Sequence, residues 1–239
     1  MADLWMPGAI KVPGHPDKVG YTAFGTRGPK RGDVKHSAEG WATYLKFLIE
    51  TALAIKSWTF TTLLSGTIWQ HYPIDAHCWH AGDTDDDDDV RANIELVGIE
   101  HEGLVGTPLT AEQTQATVAI TKFCAEYFER SAAYARFPVQ PSDGWTLVEH
   151  TQVSNTYTAC PSDRIPWDDI LELLTVEEDD MFARIIRKEG ETRYRTYLWR
   201  PGHTLLHMKN KQMHDDTVAL YGLKGEPIPI VGKETLKAL

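Results

Sequence analysis

Between Leu147 and Asp163 the chain reads LVEHTQVSNTYTACPSD, with His150 and Cys160 on either side of a short polar loop. An imidazole nitrogen and a thiolate sulfur both suit a borderline-soft divalent ion such as zinc. A loop between two such ligands lets them converge on one ion without the strict period of a helix. Two ligands do not close a site, so a third must come from elsewhere in the chain. The best candidate is His36, in VKHSAEG near the N-terminus. The fold must then bring residue 36 beside residues 150 and 160, and that requirement governs how the rest of the sequence is read.

The 239 residues are enough for one large domain or for one plus a small one. Three cysteines, Cys78, Cys124 and Cys160, are an odd number with irregular spacing, which argues against a disulfide framework. No apolar run is long enough to span a bilayer, and MADLWMPGAI has neither the basic start nor the apolar stretch of a Sec signal. The net charge of −10 disfavours nucleic acid as a partner. That charge is uneven: residues 1–180 carry 13 Lys/Arg against 28 Asp/Glu, and residues 181–239 carry 11 against 6. The change of sign suggests two units with different partners.

The expected organisation is an extended arm over 1–32, a domain over 33–175, an acidic linker at 176–180 and a small basic module over 181–239. Val34–Ser37 reads as the end of a short strand, and 38–56 as a helix with Trp41, Leu45, Leu48, Ile49 and Ala52 on one side. WTFTTLLSGTIWQHYPI reads as a hairpin turning at Ser65-Gly66. AHCWHAGDTDDDDDV reads as a loop with Asp85–Asp89 at its solvated tip; the aspartates lack the alternation and glycine of an EF-hand. IELVGIEHE over 94–102 is the clearest strand, with Glu100 and Glu102 on one face. Thr110 opens a capping-box helix that runs to about Ala132. WTLVEH delivers His150, and IPWDDILELL forms a last helix with Pro166 in its first turn. Beyond Met181, FARIIRKEGETRYRTYLWRPG reads as two alternating strands around Gly190.

His36, His150 and Cys160 as a set leave a fourth zinc position open, which is the arrangement of a catalytic site. A general base is needed beside it. Glu100, at the end of a core-like strand, is the best candidate, with Glu102 as its rival. The hydroxyl of Thr158 is placed to donate to a developing oxyanion. Histidines are more often surface or hydrogen-bonded core residues than ligands, and a lone cysteine is usually a small buried hydrophobe. HCWH at 77–80 is a rival metal cluster, although its ligands would crowd into one loop.

In order along the chain, VKHSAEG, the SGTIWQ hairpin, CWHAG, VGIEHEG, the LT-x-x-Q helix and H…TACP resemble the zinc-dependent N-acetylmuramoyl-L-alanine amidase family. This is the type-2 amidase fold shared by phage endolysins, cytosolic anhydro-muropeptide amidases and peptidoglycan recognition proteins. The resemblance covers roughly residues 30–170, and the VxHxxEG opening and Pro-rich arm look most like endolysins of phages infecting actinobacteria. It implies an α/β (α+β) fold, a mixed central sheet flanked by helices with a groove above it, followed by a small C-terminal α+β module. It also implies hydrolysis of the amide between N-acetylmuramic acid and L-alanine of peptidoglycan.

By the same resemblance the zinc ligands are His36, His150 and Cys160, and Glu100 takes the place of the catalytic glutamate of the anhydro-muropeptide branch. Trp58 occupies a position where many members carry a tyrosine, which favours Glu100 as base. Thr158 falls where other members have lysine or threonine, and Cys160 where the anhydro-muropeptide branch has aspartate. Trp79 and His80 match a W-H-A-G segment bordering the cleft, and with Trp58 and Glu102 they are the expected substrate contacts. Two other functions fit the same resemblance: a non-catalytic peptidoglycan-binding protein, which Cys160 argues against, and a host muropeptide-recycling amidase.

The basic balance of 181–239 and its Phe182, Tyr194, Tyr197, Trp199 and Tyr221 suit a module that holds an anionic or glycosylated wall polymer, since aromatic faces stack on sugars and basic side chains pair with anions. The alternative is a module that only stabilises the fold or makes a dimer. With no signal peptide, the expected location is the host cytoplasm, with access to the wall after another protein permeabilises the membrane.

Overall fold

In the computed structural model of the chain, residues 4–20, 25–53, 55–82, 92–154 and 156–175 are described in full, together with the backbone of four short strands beyond residue 183. The chain divides into two compact units, Met1–Thr175 and Val176–Leu239.

The first unit is built on β1 (Ile10–Lys11), β2 (Gly32–Ser37), β3 (Phe60–Thr62), β4 (Ile68–Gln70), β5 (Leu96–His101), β6 (Tyr134–Arg136) and β7 (Trp145–Glu149). They form one sheet in the order β1-β4-β3-β5-β2-β7-β6. The β3–β4 hairpin is antiparallel and every other neighbouring pair is parallel. This is the mixed sheet that the resemblance implied. Central parallel strands are covered on both faces, and the apolar run of β5 conforms. β2 does not: GDVKHS is mostly polar, yet all six residues are buried. Its side chains must therefore find partners inside the protein.

On one face of β2, they do so by closing on each other. Lys35 Nζ donates to Asp33 and, at 3.0 Å, to Thr121 Oγ1. Thr121 Oγ1 and Trp145 Nε1 in turn donate to Asp33 Oδ2 at 2.7 and 2.9 Å. This face packs against α3 (Ala111–Tyr127) and α5 (Trp167–Thr175), around Phe60, Val97, Ile99, Ile120, Leu147 and Ile170. The capping box of α3 forms as expected: Thr110 Oγ1 accepts from Gln113 N at 3.0 Å, and Gln113 Oε1 accepts from Thr110 N at 3.2 Å. Gln113 also donates to the carbonyls of Thr62 and Glu102, which ties the helix start to the ends of β3 and β5.

Several boundaries differ from expectation. The first helix, α1, spans only Ala42–Glu50. Glu39 sits at φ +45° and Gly40 pairs with Gly103, which holds 38–41 in a turn. Trp41 is then an extended N-cap residue, 52% exposed, instead of part of the buried stripe; Leu45 and Ile49 are buried. The strand expected over 94–102 starts at Leu96, after a single helical turn, α2 (Ala92–Glu95), and stops at His101. α3 ends at Tyr127, five residues early, with Glu129 at φ +53° just beyond. The N-terminal arm does more than lie on the domain. Its β1 pairs with β4, buried Lys18 donates to the Leu48 carbonyl at the end of α1, and buried Lys30 donates to the Ile94 carbonyl. A lysine on the last carbonyls of a helix is favourable to its dipole.

The second unit contains β8 (Arg184–Lys188), β9 (Thr196–Trp199), β10 (Leu206–Met208) and β11 (Ile230–Val231), in the order β10-β9-β8-β11. β8 and β9, the two alternating strands read from the sequence, pair antiparallel. Gly190, the acidic 176–180 segment, Phe182, Tyr194, Tyr221 and Asp85–Asp89 lie outside the described residues. Among the described residues no helix is long and apolar enough to cross a membrane.

Candidate active site

Three adjacent parallel strands, β5, β2 and β7, deliver the candidate residues at their carboxyl ends, where open α/β sheets place their crevices. His36 is next to last in β2 and is paired in register with Glu100 on β5, so both side chains rise from the same face. That face is opposite to the Asp33–Lys35 pair. His150 follows β7 directly as the first residue of a short helix, α4 (His150–Val153). Cys160 returns on the following loop, which is closed by Thr151 N–H donating to the Cys160 carbonyl at 3.0 Å.

The ligand atoms of His36, His150 and Cys160 all lie within 4.8 Å of one another. His36 Nδ1 is 3.8 Å from Cys160 Sγ, and the two imidazole centroids are 4.5 Å apart. The fold thus closes the long gap from residue 36 to residues 150–160. Cys160 Sγ also accepts the Ser37 N–H at 3.0 Å. Arg164, 2% exposed, straps the loop down. Its guanidinium donates to the Thr107 carbonyl at 2.7 Å, Ser37 Oγ at 2.8 Å, the His101 carbonyl at 3.1 Å and the Glu102 carbonyl at 2.8 Å. Gly103, at φ +128°, leaves room for it: a Cβ there would lie 2.3 Å from the guanidinium.

Burial sets the electrostatics. It holds the His36 imidazole well below its ordinary range, assisted by His150 and His80, and lowers His150 as well. Neutral imidazoles are what a metal needs. Without a cation, burial and the nearby Glu100 carboxylate push the Cys160 thiol up to about 12. Burial also pushes Glu100 up to about 8, opposed by the Lys56 and Arg164 charges. Glu100 Oε2 is enclosed and has no hydrogen-bond partner among the described residues. The charge of Lys56, an exposed residue just before Trp58, reaches His36, Glu100, His150 and Cys160 alike.

The remaining expected residues divide. Thr158, half-buried, accepts from the Cys160 N–H at 3.2 Å, which leaves its own hydroxyl hydrogen to donate. Trp79 is half-buried. Glu102 is not beside Glu100: the strand ends before it, and its two oxygens accept the Ala42 and Leu64 N–H groups at 2.8 and 2.9 Å. It anchors the start of α1 to the hairpin and is neither a spare base nor a cleft group. Trp58 is 3% exposed, in a cluster with Leu45, Ile49 and Tyr72, and its indole donates to Thr61 Oγ1 at 2.7 Å. That places it in the core instead of on a cleft wall. His80 is 8% exposed and faces His36 instead of solvent. HCWH does not gather as a metal cluster among the described residues; His77 and Cys78 are buried separately from the triad.

Two neutral imidazoles and one sulfur, converging from three elements with a partly exposed fringe, fit a zinc ion by donor type and spacing. The N-acetylmuramoyl-L-alanine amidase family, Amidase_2, matches residues 27–163, more than half of the 239. The chain belongs to this family. Among solved structures, the amidase fold is similar to a selenomethionine derivative of AmpD, with TM-score 0.57 and 20% identity over 73% of this chain and 99% of that one. It is also similar to the endolysin N-acetylmuramoyl-L-alanine amidase LysCS from Clostridium intestinale URNW, with TM-score 0.46 and 18% identity over 73% of this chain and 100% of that one. The catalytic domain of XlyA gives TM-score 0.49 and 19% identity over 70% and 98%. Identities this low bear on the fold alone. No curated protein matches the sequence at a significant level.

Three supports of this amidase site went unread in the sequence. Asn93 Oδ1 accepts from the His80 and Ala81 N–H groups at 2.9 and 2.8 Å, which fixes the segment behind His36. Gly98, in the middle of β5, lies directly under the His80 ring, and a Cβ would come within 2.8 Å of it. Arg164 is the third. A glycine interrupting an otherwise apolar strand marks close approach, and that was the one available signal.

Proposed function

We propose that this family member is a zinc-dependent N-acetylmuramoyl-L-alanine amidase of phage origin, an endolysin that cleaves the lactyl–L-alanine amide of peptidoglycan. The observation that carries the reading is the convergence of His36, His150 and Cys160 within 4.8 Å at the carboxyl ends of parallel strands. Zinc held by those three residues would polarise the scissile carbonyl and acidify the attacking water. Glu100 takes the proton from that water and returns it to the leaving amine. Burial raises its carboxyl from the ordinary carboxylate range and a bound cation would draw it back down, a balance suited to both accepting and returning a proton. The Thr158 hydroxyl, with its hydrogen uncommitted to the Cys160 N–H it accepts, donates to the carbonyl oxygen as charge develops there. Of the expected cleft contacts, Trp79 stays in the proposal; Trp58 and Glu102 do not.

In the same reading the second unit binds anionic or glycosylated wall polymers, and the enzyme reaches the wall from the host cytoplasm once the membrane is breached. The test is turbidity loss of actinobacterial walls with and without a chelator, with mass analysis of the products. Freed L-alanine amines on intact glycan, abolished by chelation, are expected. Glycosidic cleavage or chelator-resistant lysis would overturn the proposal.

A further inference from the structure

His80 is buried next to the proposed zinc site, and its ring makes two contacts with different demands. Nε2 lies 3.4 Å from the Leu96 carbonyl oxygen, and Nδ1 lies 3.2 Å from His36 Nε2. A carbonyl only accepts, so His80 Nε2 carries the hydrogen. A neutral imidazole has one hydrogen, so His80 Nδ1 is an acceptor, and the hydrogen between the rings belongs to His36 Nε2. His36 Nδ1 is then bare, and it is the nitrogen 3.8 Å from Cys160 Sγ. Charging either ring would bury a cation beside a third imidazole, that of His150.

The placement of His80 is itself built. Asn93 Oδ1 holds its backbone N–H at 2.9 Å, and Gly98 leaves the space that its ring fills. At the other end of His36, His101 Nδ1 donates to the His36 carbonyl at 2.7 Å, so ring and backbone are each gripped.

We propose that His80 is a positioning residue for the metal centre: through the Leu96 carbonyl it locks His36 in the Nε2–H form, with the Nδ1 lone pair presented beside Cys160. This rests on the zinc reading above and goes beyond it by assigning which nitrogen binds and what decides it. Partners of this kind are worth about 10- to 100-fold in metal affinity.

Two measurements test it without substrate. In the metal-free wild-type protein, the nitrogen chemical shifts of His36 should show a protonated Nε2 and a bare Nδ1; a protonated Nδ1 would overturn the proposal. Zinc affinity, measured by competition with a chromogenic chelator, should fall about 10- to 100-fold in His80→Ala. His80→Asn, which keeps an acceptor at the δ position, should recover most of the loss. Equal affinity in wild type and His80→Ala would overturn it, as would failure of His80→Asn to recover while its thermal midpoint matches wild type. If these results hold and the wild type frees no L-alanine amines, the positioning role stands and the amidase reading fails.

Discussion

The two faces of β2 carry similar chemistry to different ends. On one, Asp33, Lys35, Thr121 and Trp145 form a closed set in which each polar side chain is used by another. On the other, His36 meets His80, His150, Cys160 and Glu100, and the account does not close: the His36 Nδ1 has only the weak contact of the Cys160 thiol at 3.8 Å among the described residues, and Glu100 Oε2 is enclosed with no partner among them. The residues of β2 itself are buried on both faces, so burial of the strand does not distinguish them. The difference is spare valence, and the face with donor atoms left over is the one built to receive something.

The largest effect that would sharpen this contrast is on the open face. Glu100→Gln should lower amide hydrolysis about 10²- to 10⁴-fold, with zinc content and thermal midpoint close to wild type. Near-normal turnover would remove Glu100 from the base role. On the closed face, Asp33→Ala should do the reverse, because it strands the Lys35 ammonium in the core. Denaturant unfolding should show a loss of about 3–5 kcal/mol, with turnover per folded molecule retained. Replacing Asp33 and Lys35 together with leucine and methionine should recover much of that loss.

Solution pH tests the imidazoles. Burial lowers His71 to about 4, and His80 and His101 to about 3 each, from an ordinary 6.5. In the unfolded chain they take up protons as pH falls through 6.5, while in the folded protein they stay neutral. Their contribution is therefore complete above pH 6.5 and is lost progressively below it, of order 2 kcal/mol each by pH 5. Glu100, raised to about 8, acts oppositely, since its folded form gains relative to the unfolded one as pH falls from 8 toward 4.5. Three groups against one predict a thermal midpoint that drops between pH 6.5 and 5, and a flat profile there would contradict the assignment of these rings as buried and neutral. The smallest effect belongs to Glu102→Gln, which should cost about 1–2 kcal/mol by weakening two charge-assisted caps and leave turnover intact.

The contrast also explains what could be read from the sequence. The hairpin and the capping box of Thr110 and Gln113 depend on residue type and short-range spacing, which the sequence states directly; grouping His36 with Cys160, 124 positions away, rested on donor chemistry and on the family resemblance. Glu102 was misread because alternation holds only while the strand lasts, and β5 stops at His101. Trp58 and His80 were misread because residue type does not reveal which way a side chain faces; the burial of both depends on neighbours many positions away. The atom that orients His80 is a backbone carbonyl, that of Leu96, and it would be there whatever residue stood at 96. The full length and burial of β2, read from the sequence only as the end of a short strand at Val34–Ser37, were hidden for the same reason, because its partners Thr121 and Trp145 are about ninety and more than a hundred residues away.

The most direct test of the open face is the metal content of the purified full chain, by elemental analysis, for wild type and Cys160→Ala. One zinc per chain in the wild type, and little or none in the variant, is the predicted result. A wild type that holds no zinc after equilibration with the ion, or a Cys160→Ala variant that holds it as firmly, would contradict the account.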